Sequence, residues 1–319
     1  MLKNIIHKIL SESVLIEKPP VLIDIGASEQ IHNKWKPIVK YSTCLAFDAD
    51  ERDFQFVESE KSKYKRLLVY NSIALDKDVS KAGFYLTKSP YCSSVLEPDQ
   101  LRLKPLLFSN LFNVDKKIEL NAIHIQKALD NAKLEYVDWF KSDSQGIDLR
   151  LFKSLNENII KKILVAEFEP GIIDAYLYED KLHSILKELP EYGFWLSDIK
   201  IKGVVRLPIE MMNKEFESNL IKKLMKESLK KAPGWGEMTF INSFENDDLG
   251  QREYLLGWLF STLERQHAFA FNLAQTGVAK FNNSLFKELK QYSKAQMKME
   301  IYKLKFLPSL FELIKKKFF

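Results

Sequence analysis

The stretch VLIDIGASEQ, residues 21–30, decides how the chain is to be read. An apolar run carries one carboxylate, Asp24, and the chain turns at Gly26. The glycines expected next do not follow. In a dinucleotide fold the first strand runs into G-x-G-x-x-G, whose later glycines let the backbone approach a pyrophosphate lying on a helix N-terminus. Here Ser28, Glu29 and Gln30 supply no further glycine, while Asp24 and Glu29 add charge that repels phosphate.

A loop of this kind suits a ligand that has no phosphate and carries positive charge. S-adenosylmethionine meets both conditions, having a sulfonium, an ammonium-bearing amino-acid tail and an adenosine. Asp24, Gly26, Ala27 and Ser28 are therefore the expected first cofactor contacts. Asp48 stands 22 residues after Gly26, at the end of CLAFDAD, where an acidic side chain grips ribose hydroxyls. The same residue type at a strand end also caps helices, although Asp50, with Glu51 and Asp53 nearby, is better placed for that. Asn71 and Ser72 follow the next strand and can face an adenine edge, or serve as ordinary turn residues.

Working outward, the runs VLIDI, CLAFD, RLLVYNS, GFYLT, KIELNAI, VDWFKSD, ILVAEFE and FWLSDI read as strands, most of them buried and parallel. Between them FQFVESEKSKYK, HIQKALDNAKL, DLRLFKSLNENIIKK and YEDKLHSILKELPEY have the three-to-four spacing of covering helices. This alternation predicts an α/β fold: a Rossmann-like, doubly wound, mostly parallel sheet, with ligands outside the carboxyl ends of the strands. Strand signals stop near residue 212. The reading is an N-terminal helix over 1–18, a Rossmann-like domain over 19–212 and a helical, basic extension over 213–319, with helical periodicity interrupted at APGWGEM, residues 232–238.

Composition narrows the function classes. No run approaches the roughly 20 apolar residues of a membrane span, and MLKNIIHKILSES lacks a small-residue cleavage site. Two cysteines, Cys44 and Cys92, make no disulfide framework, which suits a reducing cytoplasm. The five histidines never fall three or four apart, so no metal site is expected. Net charge is +5, but residues 280–319 hold ten lysines against three glutamates, which leaves the first 279 residues at −2. Basicity confined to a tail argues against a nucleic-acid groove.

At VDWFKSDSQGIDLRLF the sequence resembles the FkbM family of S-adenosylmethionine-dependent methyltransferases. Lys141, Asp143, Gln145, Gly146 and Asp148 occupy the places of its Lys-x-Asp-x-Glu/Gln-Gly-x-Glu motif. VLIDIGAS, FDAD, GFYLTKSPYCSSVLEP, AEFEP and YGFWLSDI agree in order, over about residues 20–200. The departures are Gln30 for Gly, Asp48 for Glu, Ala49 for Pro and Asp148 for Glu. The resemblance implies a class I methyltransferase fold, S-adenosylmethionine as cofactor, and methyl transfer to a hydroxyl of a glycan or small-molecule natural product.

Spacing alone lets Asp143 either cap the following helix or meet cofactor and acceptor; the resemblance favours a catalytic role. Lys141 orients the acceptor or snorkels to solvent. Ser93, Ser94, Glu167 and Glu169 are the expected substrate contacts, the serines having turn chemistry as their alternative. The base-amino methylase motif of Asn or Asp before Pro-Pro and an aromatic is absent, which again disfavours nucleic acid. In the tail, Leu307, Leu310, Phe311, Ile314 and Phe318 form a stripe with Lys315, Lys316 and Lys317 off it, permitting peripheral membrane contact or packing on the chain's own domain or a partner subunit of a homo-oligomer. A non-catalytic scaffold with a partner-binding tail is the competing function.

Overall fold

The computed structural model describes residues 1–27, 32–49 and 63–306. Ser28, Glu29 and Gln30, the caps Asp50, Glu51 and Asp53, most of the helix expected at FQFVESEKSKYK, and the apolar stripe beyond Phe306 lie outside the described residues. The strands in chain order are β1 (Val21–Ile25), β2 (Thr43–Phe47), β3 (Arg66–Tyr70), β4 (Ile73–Leu75), β5 (Lys81–Thr87), β6 (Val114–His124), β7 (Trp139–Ser142), β8 (Val165–Phe168), β9 (Phe194–Val204) and β10 (Ala232–Asn242).

Seven of them form a sheet in the order β3-β2-β1-β7-β8-β10-β9. Pairing is parallel from β3 through β8, and β10 runs antiparallel to both its neighbours. Every residue of β1 and β2 is buried, as their unbroken apolar runs require. Strand order reverses between β1 and β7, so their carboxyl ends open the crevice in which such sheets bind ligands. The Rossmann-like, doubly wound reading holds for this sheet.

Two strand expectations are corrected. GFYLT and KIELNAI do not join the parallel sheet: β5 and β6 pair antiparallel and, with β4, make a separate three-stranded sheet. Their alternating, half-exposed faces are those of an antiparallel ribbon. Strand structure also continues past residue 212, because APGWGEM is the first half of β10. Pro233 is accommodated at a register shift between Pro233 and Trp235, and the glycines admit close neighbours. A Cβ on Gly234 would lie 2.3 Å from Val204 Cγ1, and one on Gly236 would lie 2.9 Å from Leu182 Cδ1.

This unit spans Pro19–Asn246. Its core gathers on Phe152, in the helix Asp148–Lys153, whose ring lies 5.4 Å from Phe140, 5.5 Å from Phe168 and 5.9 Å from Phe194, centre to centre. Those contacts seat the helix against β7 and β8 and fix the loop that precedes it. DLRLFKSLNENIIKK, expected as one helix, is two, Asp148–Lys153 and Glu157–Ile160, because Asn156 starts the second by accepting from Asn158 N.

A second compact unit combines Met1–Lys18 with Asp247–Phe319. Helix Gln251–Leu263 is buried on nearly every side, Trp258 Nε1 donates to Ser293 Oγ at 2.8 Å, and Arg252 Nε donates to the Lys18 carbonyl at 2.9 Å. The expected N-terminal helix is two helices, Leu2–Leu10 and Ser13–Glu17. No described helix is long and apolar enough to cross a membrane.

Gly234→Ala forces a methyl into the buried side chain of Val204 and is expected to cost about 1–3 kcal/mol. Thermal unfolding of the variant against the parent measures it.

Candidate active site

Burying Asp24 in the middle of β1 demands a partner, and the adjacent strand supplies one in register. Asp24 pairs with Lys141 across β1 and β7, and Lys141 with Glu167 across β7 and β8. Lys141 Nζ donates to Asp24 Oδ1 at 2.7 Å, and His32 N donates to Oδ2 at 3.0 Å. Burial works against the charge on Lys141, yet the carboxylates of Asp24 and Asp143 hold its ammonium above the ordinary lysine range. Glu167 is gripped by Trp139 Nε1 at 2.7 Å, Lys34 Nζ at 3.0 Å and His32 Nε2 at 3.2 Å. Burial opposes its charge too, but His32 and Lys34 pull its carboxyl down to about 2.

Above this row the chain turns at Gly26, whose φ is +75°. A Cβ there would sit 2.3 Å from the Asp143 carbonyl oxygen, so only glycine lets the loops after β1 and β7 touch. Gly26 N and Ala27 N donate to the Phe47 carbonyl, and Asp143 N to that of Ile25, joining the ends of β1, β2 and β7.

Asp148, fully buried, organises the loop after β7. Its Oδ1 accepts from Ser142 Oγ at 2.6 Å, Ser144 N at 2.8 Å and Ser144 Oγ at 2.5 Å; its Oδ2 accepts from Glu169 N at 3.1 Å. Gln145, left-handed at φ 57°, and Gly146, at φ 117°, complete the turn. Gln145 Nε2 donates to Asp143 Oδ1 at 2.5 Å, while Tyr176 Oη lies 3.0 Å from Gln145 Oε1. Tyr176 Oη also lies 2.9 Å from the Cys92 carbonyl, and the Gln145 amide fixes one oxygen of the Asp143 carboxyl.

Asp143 lines three cavities. The first, about 730 Å³, is lined by Gly26, Phe47, Asp48, Ser72, Ala74 and Asp143, with Tyr91 and Ser93 from the loop after β5. The second, about 1210 Å³, is walled by Phe108, Phe112, Tyr176 and Trp235 and shares Asp143, Gln145 and Tyr91 with the first. Its rings form a chain, Trp235 to Phe108 at 6.3 Å, Phe108 to Phe112 at 5.5 Å and Phe112 to Tyr176 at 5.6 Å. Glu169 and Glu179 also line it. Burial, then the charge of Asp143, pushes the Glu169 carboxyl up to about 9, and burial raises Asp143 to about 6.

Of the expected residues, the structure brings Gly26, Asp48, Ser72, Ser93 and Asp143 around the first cavity, and Asp143 and Glu169 to the second. Asp24 lies beneath it, its carboxylate engaged by Lys141 and His32; Ala27 is buried and Asn71 exposed, and neither lines the cavity. Lys141 Nζ is directed at Asp24 rather than at the aromatic cavity. Ser94 is a backbone clamp: its Oγ donates to the Gln145 carbonyl at 2.7 Å and accepts from Leu96 N at 3.0 Å. Ser93 Oγ accepts from Thr87 N at 3.1 Å. Glu167 lines a third, polar cleft together with Lys141, Asp143 and Glu169, and with His32, Lys34 and Lys200. The sequence carries no sign of the aromatic wall beyond Trp235 between two glycines.

A sheet reversed only at one strand, with a glycine turn after β1 and an acidic residue after β2, defines a Rossmann-like fold of methyltransferase type. The model of the methyltransferase FkbM domain matches residues 24–196, more than half of the chain, and the chain belongs to that family. Membership supports a methyltransferase that uses S-adenosylmethionine. No curated protein matches. Among solved structures the chain is similar to the crystal structure of NSun6 from Pyrococcus horikoshii with SFG, at 10% identity and a TM-score of 0.27. That likeness covers 77% of this chain and 52% of the other, so the chain spans about half the neighbour's length.

Asp24→Asn leaves the Lys141 ammonium without its closest counter-charge and is expected to cost about 3–5 kcal/mol in denaturant unfolding. Asp24→Leu combined with Lys141→Met costs less than the two single changes added together.

Proposed function

We propose that the protein is an S-adenosylmethionine-dependent O-methyltransferase whose acceptor occupies the aromatic cavity. The observation that carries this is the position of Asp143, on the wall common to both cavities. The first cavity fits the cofactor by the chemistry of its lining. It has a glycine cradle that a Cβ would fill, and among the described residues its charged groups are the carboxylates of Asp48 and Asp143. Asp48 would hold the ribose hydroxyls, Gly26 would admit the amino-acid tail, and Ser72 and Ala74 would face the adenine. When bound, S-adenosylmethionine supplies an electrophilic methyl group.

The chain's own work is positioning and proton removal. Alignment of the acceptor accounts for the larger share of the rate, about 7–11 kcal/mol in well-held cases, and a base for about 10²–10⁴-fold. Asp143, steered by Gln145, takes the acceptor hydroxyl proton at Oδ2, leaving Oδ1 to the Gln145 amide. Glu169 keeps its proton at neutral pH and donates a hydrogen bond to a second acceptor oxygen. The aromatic wall with these carboxyl groups suits a neutral, hydroxyl-bearing ring of a glycan or natural product. The free thiols of Cys44 and Cys92 agree with a cytoplasmic enzyme.

Calorimetry with S-adenosylhomocysteine tests the cofactor half: micromolar binding is expected, lost in Asp48→Ala and kept in Asp143→Asn. Absence of binding to the parent protein removes the reading. Once an acceptor is in hand, kcat/KM should rise through about pH 6, because the base must be ionised and Asp143 is protonated below that value. Asp143→Asn should lower kcat by about 10²–10⁴-fold with the cofactor still bound.

A further inference from the structure

Between β9 and β10 lies a helical segment that methyl transfer does not use. Helix Ile209–Glu215 is seated by Met212, which is buried with Leu107 and Val205. Helix Asn219–Ser228, NLIKKLMKES, follows; Ser218 caps it, its Oγ accepting from Ile221 N, and none of its residues is buried. At 3.6 residues per turn Leu220, Leu224, Ile221 and Met225 share one arc of about 140°. Lys222 and Lys223 flank that arc on its two sides, and Lys226 lies opposite it.

The apolar arc faces outward. Leu220 is 67% exposed, Leu224 59% and Ile221 48%, with Met211 of the preceding helix at 53%. Met225, Phe216 and Leu229 instead line a groove of about 1070 Å³ rimmed by Arg206, Lys230 and Lys231. From Ser218 to Lys231 the segment holds five lysines and one glutamate, Glu227. Four large aliphatic side chains held in water on adjoining helices are costly unless something covers them. The flanking charge selects the cover. A second copy of this helix face would bring the flanking Lys222 and Lys223 against their own kind, whereas anionic headgroups pair with them while acyl chains take up the leucines.

We propose that helix Asn219–Ser228 docks on an anionic membrane surface, with Leu220, Ile221 and Leu224 entering the acyl boundary and Lys222, Lys223, Lys230 and Lys231 meeting the headgroups. Long lysine stems reach the phosphates from the flanks of such a helix, and each adds attraction that salt weakens. The inference is independent of the methyl-transfer reading, since none of its residues lines the two cavities assigned to cofactor and acceptor.

Flotation of the full chain with vesicles tests it. Binding to phosphatidylcholine vesicles containing about 30% phosphatidylserine is expected to exceed binding to pure phosphatidylcholine by about tenfold or more, and to fall in high salt. Leu220→Ser with Leu224→Ser, and separately Lys222→Glu with Lys223→Glu, should each reduce flotation about tenfold with unchanged thermal unfolding, because Leu220, Leu224 and Lys223 are exposed and Lys222 is only partly buried. Flotation that persists undiminished in both variants, or parent protein that does not float, overturns the proposal. So does light scattering that shows a dimer in the parent and a monomer in the Leu220→Ser, Leu224→Ser variant, since a second copy then covers the face.

Discussion

An ammonium and a carboxylate set side by side in the middle of a buried sheet, Lys141 on β7 and Asp24 on β1, constrain much of the molecule around them. Strand order reverses between these two strands, so their register fixes where the crevice opens. A slip of one residue would turn Lys141 to the opposite face and leave two charges in apolar surroundings, each at a cost of several kcal/mol. The polar row continues through Glu167 on β8 to Thr239 on β10, whose Oγ1 lies 3.4 Å from Glu167 Oε2. Register is therefore specified by charge across three strands, and by a hydroxyl on a fourth, as well as by hydrophobic pattern.

With the strands pinned, their carboxyl ends have little freedom. Gly26 is pressed on the Asp143 backbone, and the β7 loop is gathered on the buried Asp148, which accepts four hydrogen bonds and leaves the helix Asp148–Lys153 seated by Phe152. Asp143 is the carboxyl of that loop that remains for ligands, held at one oxygen by Gln145. Preorganisation of this kind fits a reaction whose rate comes largely from alignment.

The parts of this arrangement that the sequence disclosed are those written in one short stretch. Apolar runs announced β1, β2, β7 and β8, and the residues at their carboxyl ends, Gly26, Asp48 and Asp143, fall at the rim of the first cavity as loop residues of such a sheet do. β10 was hidden because Pro233, Gly234 and Gly236 carry a breaker signal, and only the tertiary neighbours Val204 and Leu182 show that the glycines are there for closeness. Asp24 was read as a ligand contact because a lone sequence does not display the lysine 117 residues away that neutralises it. The aromatic wall was illegible for the same reason: Phe108, Phe112, Tyr176 and Trp235 come from distant segments and carry no spacing.

The contact between Gly26 and the Asp143 carbonyl also bears on how such a protein can diverge. No side chain can be added on one loop without displacing the other, so the two turns are free to change only together. Phe108 and Phe112 of the aromatic wall have no such tie, since they meet their neighbours through ring packing. Divergence is thereby channelled to the cavity's aromatic side, leaving the Gly26 turn nearly frozen.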